Sequence, residues 1–143
     1  MIVVDASVFA KLFLDEADRP EAEALFAYVA EHDLILVAPT LIVYEALSIG
    51  LRHDVPFKSI LGLLENARAI GLQILEPSAD ELMVAERIAT TVNKGGGYPT
   101  LQDSIYHAMA IERGGTFVTA DRRHVTKAGK FANVSSLADW KPG

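Results

Sequence analysis

Four of the 19 acidic residues in this 143-residue chain stand where carboxylates are costly. Asp5 ends the apolar run Ile2-Val3-Val4, and Glu45 lies within Leu41-Ile42-Val43-Tyr44-Glu45-Ala46-Leu47. Asp103 opens a segment whose Leu101, Ile105, Ala108 and Met109 form an apolar face at helical spacing, and Asp121 follows Phe117-Val118-Thr119-Ala120. Most other acids fall in mixed polar stretches such as Asp15-Glu16-Ala17-Asp18, which read as solvated helix faces. An ionised carboxylate beside a core is unfavourable unless a positive group compensates it. Several that converge must keep protons or hold a cation. Oxygen donors in a chain without cysteine fit a hard cation, Mg²⁺ or Mn²⁺.

Each acid also has a purely structural use. Asp5 and Asp121 can N-cap the helices that follow them. Thr100-Leu101-Gln102-Asp103 resembles a capping box with Asp in its third position. Glu45 can pair with Arg52 or reach solvent. Four unrelated uses falling at one edge of one sheet are a less economical explanation than one acidic site.

The elements that must position these groups follow from periodicity and punctuation. The β-branched run before Asp5, with no polar alternation, predicts a strand buried on both faces, as in parallel sheets between helices. Ligands bind such sheets beyond the carboxyl ends of the strands, where the strand order reverses. Helical spacing of Val8, Phe9, Leu12 and Phe13 predicts a helix over about 7–14, and a second runs from about Pro20 to Glu31. A strand is expected over Leu34–Val37. Thr40 is expected to cap a helix through about Arg52, with another over 56–70 closed by Gly71. A third strand covers Leu72–Leu75, and Ser78-Ala79-Asp80-Glu81 is a capping box opening a helix to about Asn93. After the Gly95-Gly96-Gly97 loop, Thr100 begins a helix that Gly114-Gly115 ends. Thr116–Thr119 is a fourth strand, 122–127 a short helix, and 133–135 a weak last strand. Alternating strands and helices indicate an α/β domain with a mostly parallel sheet. If the first and fourth strands are neighbours, Asp5 and Asp121 leave the same edge side by side.

The length suits one domain spanning residues 1–143, and the 50% hydrophobic content supports a sizeable core. No charge-free apolar stretch approaches the 18 or so residues that cross a membrane. Asp5 interrupts the apolar start and no basic region precedes it, so no signal peptide and a cytoplasmic location are expected. The absence of cysteine excludes disulfides, thiolate metal sites and thiol catalysis. A net charge of −6 argues against broad, passive nucleic-acid affinity, so any phosphate contact must come from a local basic patch or a metal.

The order Asp5-x-Ser7, Glu45, Asp103, Thr119-x-Asp121 resembles the PIN domain family, and the short form is similar to VapC-type toxins of prokaryotic toxin-antitoxin modules. The resemblance covers nearly the whole chain. It implies a three-layer α/β/α fold with about five parallel strands in the order 3-2-1-4-5. It also implies that Asp5, Glu45, Asp103 and Asp121 form an acidic pocket for one or two divalent ions, with Ser7 and Thr119 hydrogen-bonding inside it. The implied activity is metal-assisted hydrolysis of RNA phosphodiesters, leaving 5′-phosphate and 3′-hydroxyl ends. Asp5, Asp103 and Asp121 would hold the metal. Glu45 would be a further ligand or orient the attacking water. The implied partners are RNA, an antitoxin protein and a second copy of the chain. One departure is His124, where a bulky apolar residue often stands three positions after the last acid.

Substrate contacts are expected from Arg122, Arg123 and Lys127, directly after Asp121, and from Lys94, before Asp103. Tyr98 is a candidate to stack on an unpaired base or to anchor its glycine loop. His107, one turn after Asp103, either touches the pocket or is a hydrogen-bonded helix histidine. The alternative from another class is an inactive PIN-like interaction module, whose first two helices would present Phe9, Phe13, Leu25, Phe26 and Tyr28 to a partner. A receiver-type signalling domain fits less well, because Ala6 follows Asp5 where an acidic pair is wanted.

Overall fold

The computed structural model describes residues 1–93 and 95–142. Five parallel strands, β1 (Ile2–Val4), β2 (Leu36–Pro39), β3 (Leu72–Leu75), β4 (Thr116–Thr119) and β5 (Val134–Ser136), lie in the order β3-β2-β1-β4-β5. Every residue of β1 and β2 is buried, as expected of strands covered on both faces. The order reverses between β1 and β4, which pair directly with Val3 opposite Phe117 and Val4 opposite Val118.

Among the described residues seven helices connect the strands: α1 (Ala6–Phe9), α2 (Arg19–Glu31), α3 (Leu41–Arg52), α4 (Phe57–Ala69), α5 (Ala79–Ala89), α6 (Leu101–Glu112) and α7 (Arg122–Lys127). Right-handed crossovers put the connections preceding β3 on one face and those following it on the other, giving three layers. The main core joins Val3, Val4, Leu36, Val37, Phe117 and Val118 of the sheet to Phe9, Leu25, Ile42, Ile60, Leu64, Tyr106 and Met109 of the helices. No helix among the described residues is long and apolar enough to cross a membrane.

The Ser78 capping box forms as expected, and its Glu81 also holds Arg113 at 2.7 Å, fastening α5 to α6. Elsewhere the boundaries differ. The first helix stops at Phe9 and continues only as a 3₁₀ turn over Ala10–Leu12, because the Asp15–Asp18 stretch supplies no further apolar face. β2 runs to Pro39, two residues beyond the expected end, because Thr40 N still donates to Leu75 O at the sheet edge. α5 ends at Ala89, where the Thr90 and Thr91 hydroxyls bond carbonyls of the last turn. β5 is displaced by one residue from the expected 133–135. Thr40 does not cap α3, since its backbone is already helical and its hydroxyl donates to Glu76 Oε2 at 3.1 Å.

The expected apolar patch on the first two helices is absent. Phe9, Leu25 and Phe26 are core residues, and Phe13 and Tyr28 are half-buried. Exposed large apolar side chains are found elsewhere, with Tyr44 and Leu51 on α3, Phe57 and Leu61 on α4, and Leu82 and Met83 on α5 among them.

Candidate active site

The β1–β4 register places Asp5 beside Thr119, at the carboxyl end of the two central strands. Asp5 is only 3% exposed, yet its carboxylate is well supplied with donors. The Ser7 hydroxyl donates to Oδ1 at 2.5 Å, the Thr119 hydroxyl to Oδ2 at 2.6 Å, and Val8 N–H to Oδ1 at 3.1 Å. Each hydroxyl in turn accepts a backbone N–H from the chain leaving β4: Ala120 N donates to Ser7 Oγ and Asp121 N to Thr119 Oγ1, both at 3.0 Å. Asp5 therefore does cap α1, and the same bonds lock the end of β1 to the end of β4.

The other acids reach the crevice from different elements. Asp121 caps α7 by accepting from Arg123 N at 3.0 Å, and its carboxylate also meets the Arg123 guanidinium at 3.2 Å. Asp103 stands in the first turn of α6, where Thr100 Oγ1 accepts its N–H at 3.1 Å. Glu45, on α3, accepts the Tyr106 hydroxyl hydrogen at 2.6 Å, and forms no ion pair with Arg52 among the described residues. These positions thus have structural uses while their carboxylates still face the crevice.

All four carboxylates line one cavity of about 590 Å³, together with Ser7, Tyr44, Ser48, Arg52, Gln102 and Arg123. Their electrostatics mark it as short of positive charge. Burial, with a smaller contribution from Asp103, pushes the Asp5 carboxyl up to about 6 despite its three hydrogen bonds. Burial also raises Glu45, against the Tyr106 hydrogen bond and with Asp103 adding to the rise. It raises Asp103 as well, where the Asp121 charge adds and Arg123 and Lys127 oppose. Asp103 is the hub, since it interacts with each of the other three.

Carboxylate and hydroxyl oxygens on this cavity fit a hard divalent cation in donor type. The side chains ring the cavity without closing on one point, and among the described residues no three His, Cys, Asp or Glu groups are gathered as a ready metal cluster. An ion shared by Asp103 and Asp121 would compete with Arg123 for Asp121.

Of the expected substrate contacts, Arg122 and Arg123 are exposed at the start of α7, Arg123 being tied to Asp121. Lys127 lines a smaller adjoining cavity with Asp103 and Asp121. Lys94 lies outside the described residues. Tyr98 is exposed and does not line the acid cavity.

His107 and His124 face each other instead of the acids. His107 Nε2 meets Ala132 O at 2.7 Å, so that nitrogen carries the hydrogen, and Nδ1 is left to accept from His124 Nε2 at 3.0 Å. His124 Nδ1 is buried without a partner among the described residues. Both rings are therefore neutral, which agrees with burial lowering His107 and, together with His107, bringing His124 down to about 4. His124 occupies its usually apolar position by packing its ring against Phe117, 5.5 Å between centroids.

Tyr106 was not singled out by its sequence context. The available signal was a phenol three positions after Asp103 on an otherwise apolar helix face, where a buried hydroxyl must find an acceptor.

A parallel sheet in this order, with acids gathered at its reversal point, defines a PIN-like α/β fold. The PIN domain family profile matches residues 2–130, and the chain belongs to that family. Solved structures give the same fold. Mycobacterium tuberculosis VapC20, a sarcin-ricin loop cleaving toxin, superposes with a TM-score of 0.69 at 16% identity over 94% of this chain and 98% of that one. FitAB bound to the IR36 DNA fragment gives 0.71 at 15% identity, covering 99% of both chains. Rickettsia felis VapBC2 bound to a fragment of its promoter DNA gives 0.69 at 15% identity over 95% and 98%. No curated protein sequence matches this chain.

Proposed function

We propose that this chain is a metal-dependent endoribonuclease, the toxin of a type II toxin-antitoxin pair. The observation that carries the reading is the position of Asp5: a buried carboxylate at the end of the central strand, opening on the same cavity as Glu45, Asp103 and Asp121. Membership of the PIN family and the likeness in fold to VapC20 support it.

Asp5, Asp103 and Asp121 would hold Mg²⁺ or Mn²⁺, with Glu45 as a further ligand or as the group orienting the attacking water. A divalent ion held by these residues would supply a water of lowered pKa and offset negative charge on the phosphate. The chain's own groups prepare that chemistry. Ser7, Thr119 and Val8 N–H hold Asp5 in a single orientation, and Tyr106 fixes Glu45. Without a cation the carboxylates repel an RNA phosphate, so metal dependence is strict. Arg122, Arg123 and Lys127 supply phosphate contacts beside the acids. An antitoxin, a homodimer and a cytoplasmic setting complete the proposal, and the chain is taken as a single PIN-like unit over 1–143.

The test is incubation of total cellular RNA with the purified protein in Mg²⁺, in Mn²⁺ and in chelator, beside Asp5→Asn. Discrete fragments that need both metal and Asp5 are expected. A folded, antitoxin-free protein that cuts nothing under any of these conditions would favour the inactive interaction module.

A further inference from the structure

The acid cavity does not end at Asp121. It shares Asp103, Asp121 and Arg123 with the small cavity that Pro99, Thr100, His124 and Lys127 complete. Lys127 also lines a third cavity of about 690 Å³, with Val92, Asn93, Gly95, Thr126, Gly129 and Lys130. Shared side chains thus set the three cavities side by side, from α3 past the acids to the C-terminal end of α7.

The character of the lining changes from one cavity to the next. At the acids it is polar and anionic. The third cavity is lined mainly by apolar surface, from Val92, two glycines, Thr126 and two lysines, with Asn93 beside them. Val92 is half exposed, and Lys130 Nζ donates to Val92 O at 3.1 Å, so an ammonium is fixed on the rim. The Lys127 stem passes close to Gly97, where a side chain would touch it. Among the described residues neither lysine is in an ion pair, although the chain carries six more negative than positive charges. An apolar hollow with ammonium groups on its rim matches a nucleotide: a flat base inside and a phosphodiester at the edge.

We propose that the cavity lined by Val92, Lys127 and Lys130 takes an unpaired base of the same RNA strand whose phosphate lies among the carboxylates, with the two lysines on the flanking phosphates. The inference rests on the ribonuclease reading above and adds to it a base-binding subsite away from the acids. A base held in a duplex cannot enter, because it is stacked and paired.

Binding separates this proposal from catalysis. The probes are a fluorescent random-sequence single-stranded oligoribonucleotide and a duplex of equal length, titrated with the Asp103→Asn protein over a range of salt in Mg²⁺ buffer. Lys127→Gln with Lys130→Gln, in the same background, is expected to weaken single-strand binding about tenfold. It should also flatten the dependence of log affinity on log salt by roughly one to two phosphate contacts. Val92→Asp should reduce the preference for single strand over duplex. Lys58→Gln with Arg68→Gln, on α4 at the opposite end of the sheet, removes the same charge and should change neither quantity. Unaltered affinity and salt slope in the lysine pair, or an equal loss in the α4 pair, would overturn the proposal. Intact lysine-dependent binding by a protein that cuts no RNA would instead count against the ribonuclease reading alone.

Discussion

The Tyr106 hydroxyl donates to Glu45 Oε1 at 2.6 Å and so joins α6 to α3 beside the acid cavity. Tyr106 is fully buried, stacked on Phe117 with 5.8 Å between ring centroids, so the phenol cannot follow if Glu45 moves. Glu45 is thereby held on the cavity wall, and its carboxylate is partly compensated for burial.

Tyr106→Phe keeps the ring and removes the donor. Glu45 then loses the one hydrogen bond that opposes the rise in its carboxyl. Activity is expected to fall about tenfold, the usual scale for a group that orients a metal ligand. The acidic limb of the pH–rate profile should move to higher pH, since a more basic Glu45 carries its proton further up the scale. Steady-state rates from pH 5 to pH 9 check this, and an unmoved limb would reduce Tyr106 to a packing residue.

Asp5→Asn removes a carboxylate that folding places at a disadvantage. With its carboxyl raised from 3.8 to about 6, Asp5 is neutral in both states below 3.8, and it costs stability increasingly as pH rises through 6. In chelator, Asp5→Asn should therefore be more stable than the parent at pH 7.5, by about 1–2 kcal/mol after allowing for poorer hydrogen bonding by the amide. The difference should vanish near pH 4. Urea unfolding at the two pH values measures it, and a variant less stable at pH 7.5 would contradict the burial argument.

His124 acts in the opposite sense. Its ring is held neutral in the fold, down to about 4, while an unfolded histidine protonates near 6.5. The unfolded state therefore binds more protons in that window, and this contribution to stability is lost as pH falls from 6.5 towards 4. Its full size is on the order of 3 kcal/mol. His124→Leu, which fills the position with an apolar side chain, should gain on the parent progressively as pH falls through that range. The slope of the difference is the readout, because the substitution also deprives His107 Nδ1 of its donor. A difference independent of pH would place the acid sensitivity elsewhere.

The residues themselves explain how far the sequence could be read. Asp5 and Asp121 were legible because each ends an apolar strand, and strand ends in a parallel sheet are where a crevice opens. The capping box at Ser78 was legible because its bonds are local. Thr40 misled because it has the composition of a cap, while its hydroxyl is drawn to Glu76, which lies 36 positions away across the β2–β3 edge. Phe9 and Phe26 misled because aromatic spacing marks an apolar face without saying what covers it. The Tyr106–Glu45 bond spans 61 positions, and the His107–His124 tautomers depend on Ala132 O, so neither has a local signature. Likewise, the sequence pointed to acids that converge, whereas in the structure they ring a cavity without closing on a point.

Direct binding of Mn²⁺ in the absence of RNA, measured by calorimetry on the parent and on Asp103→Asn, tests the central claim of one shared acidic metal site. Asp103 interacts with Asp5, Glu45 and Asp121, so its loss should weaken binding by at least about tenfold. Saturable binding by the parent and that loss in the variant are the expected result. A parent that binds no Mn²⁺, or a variant that binds it equally well, would contradict the account.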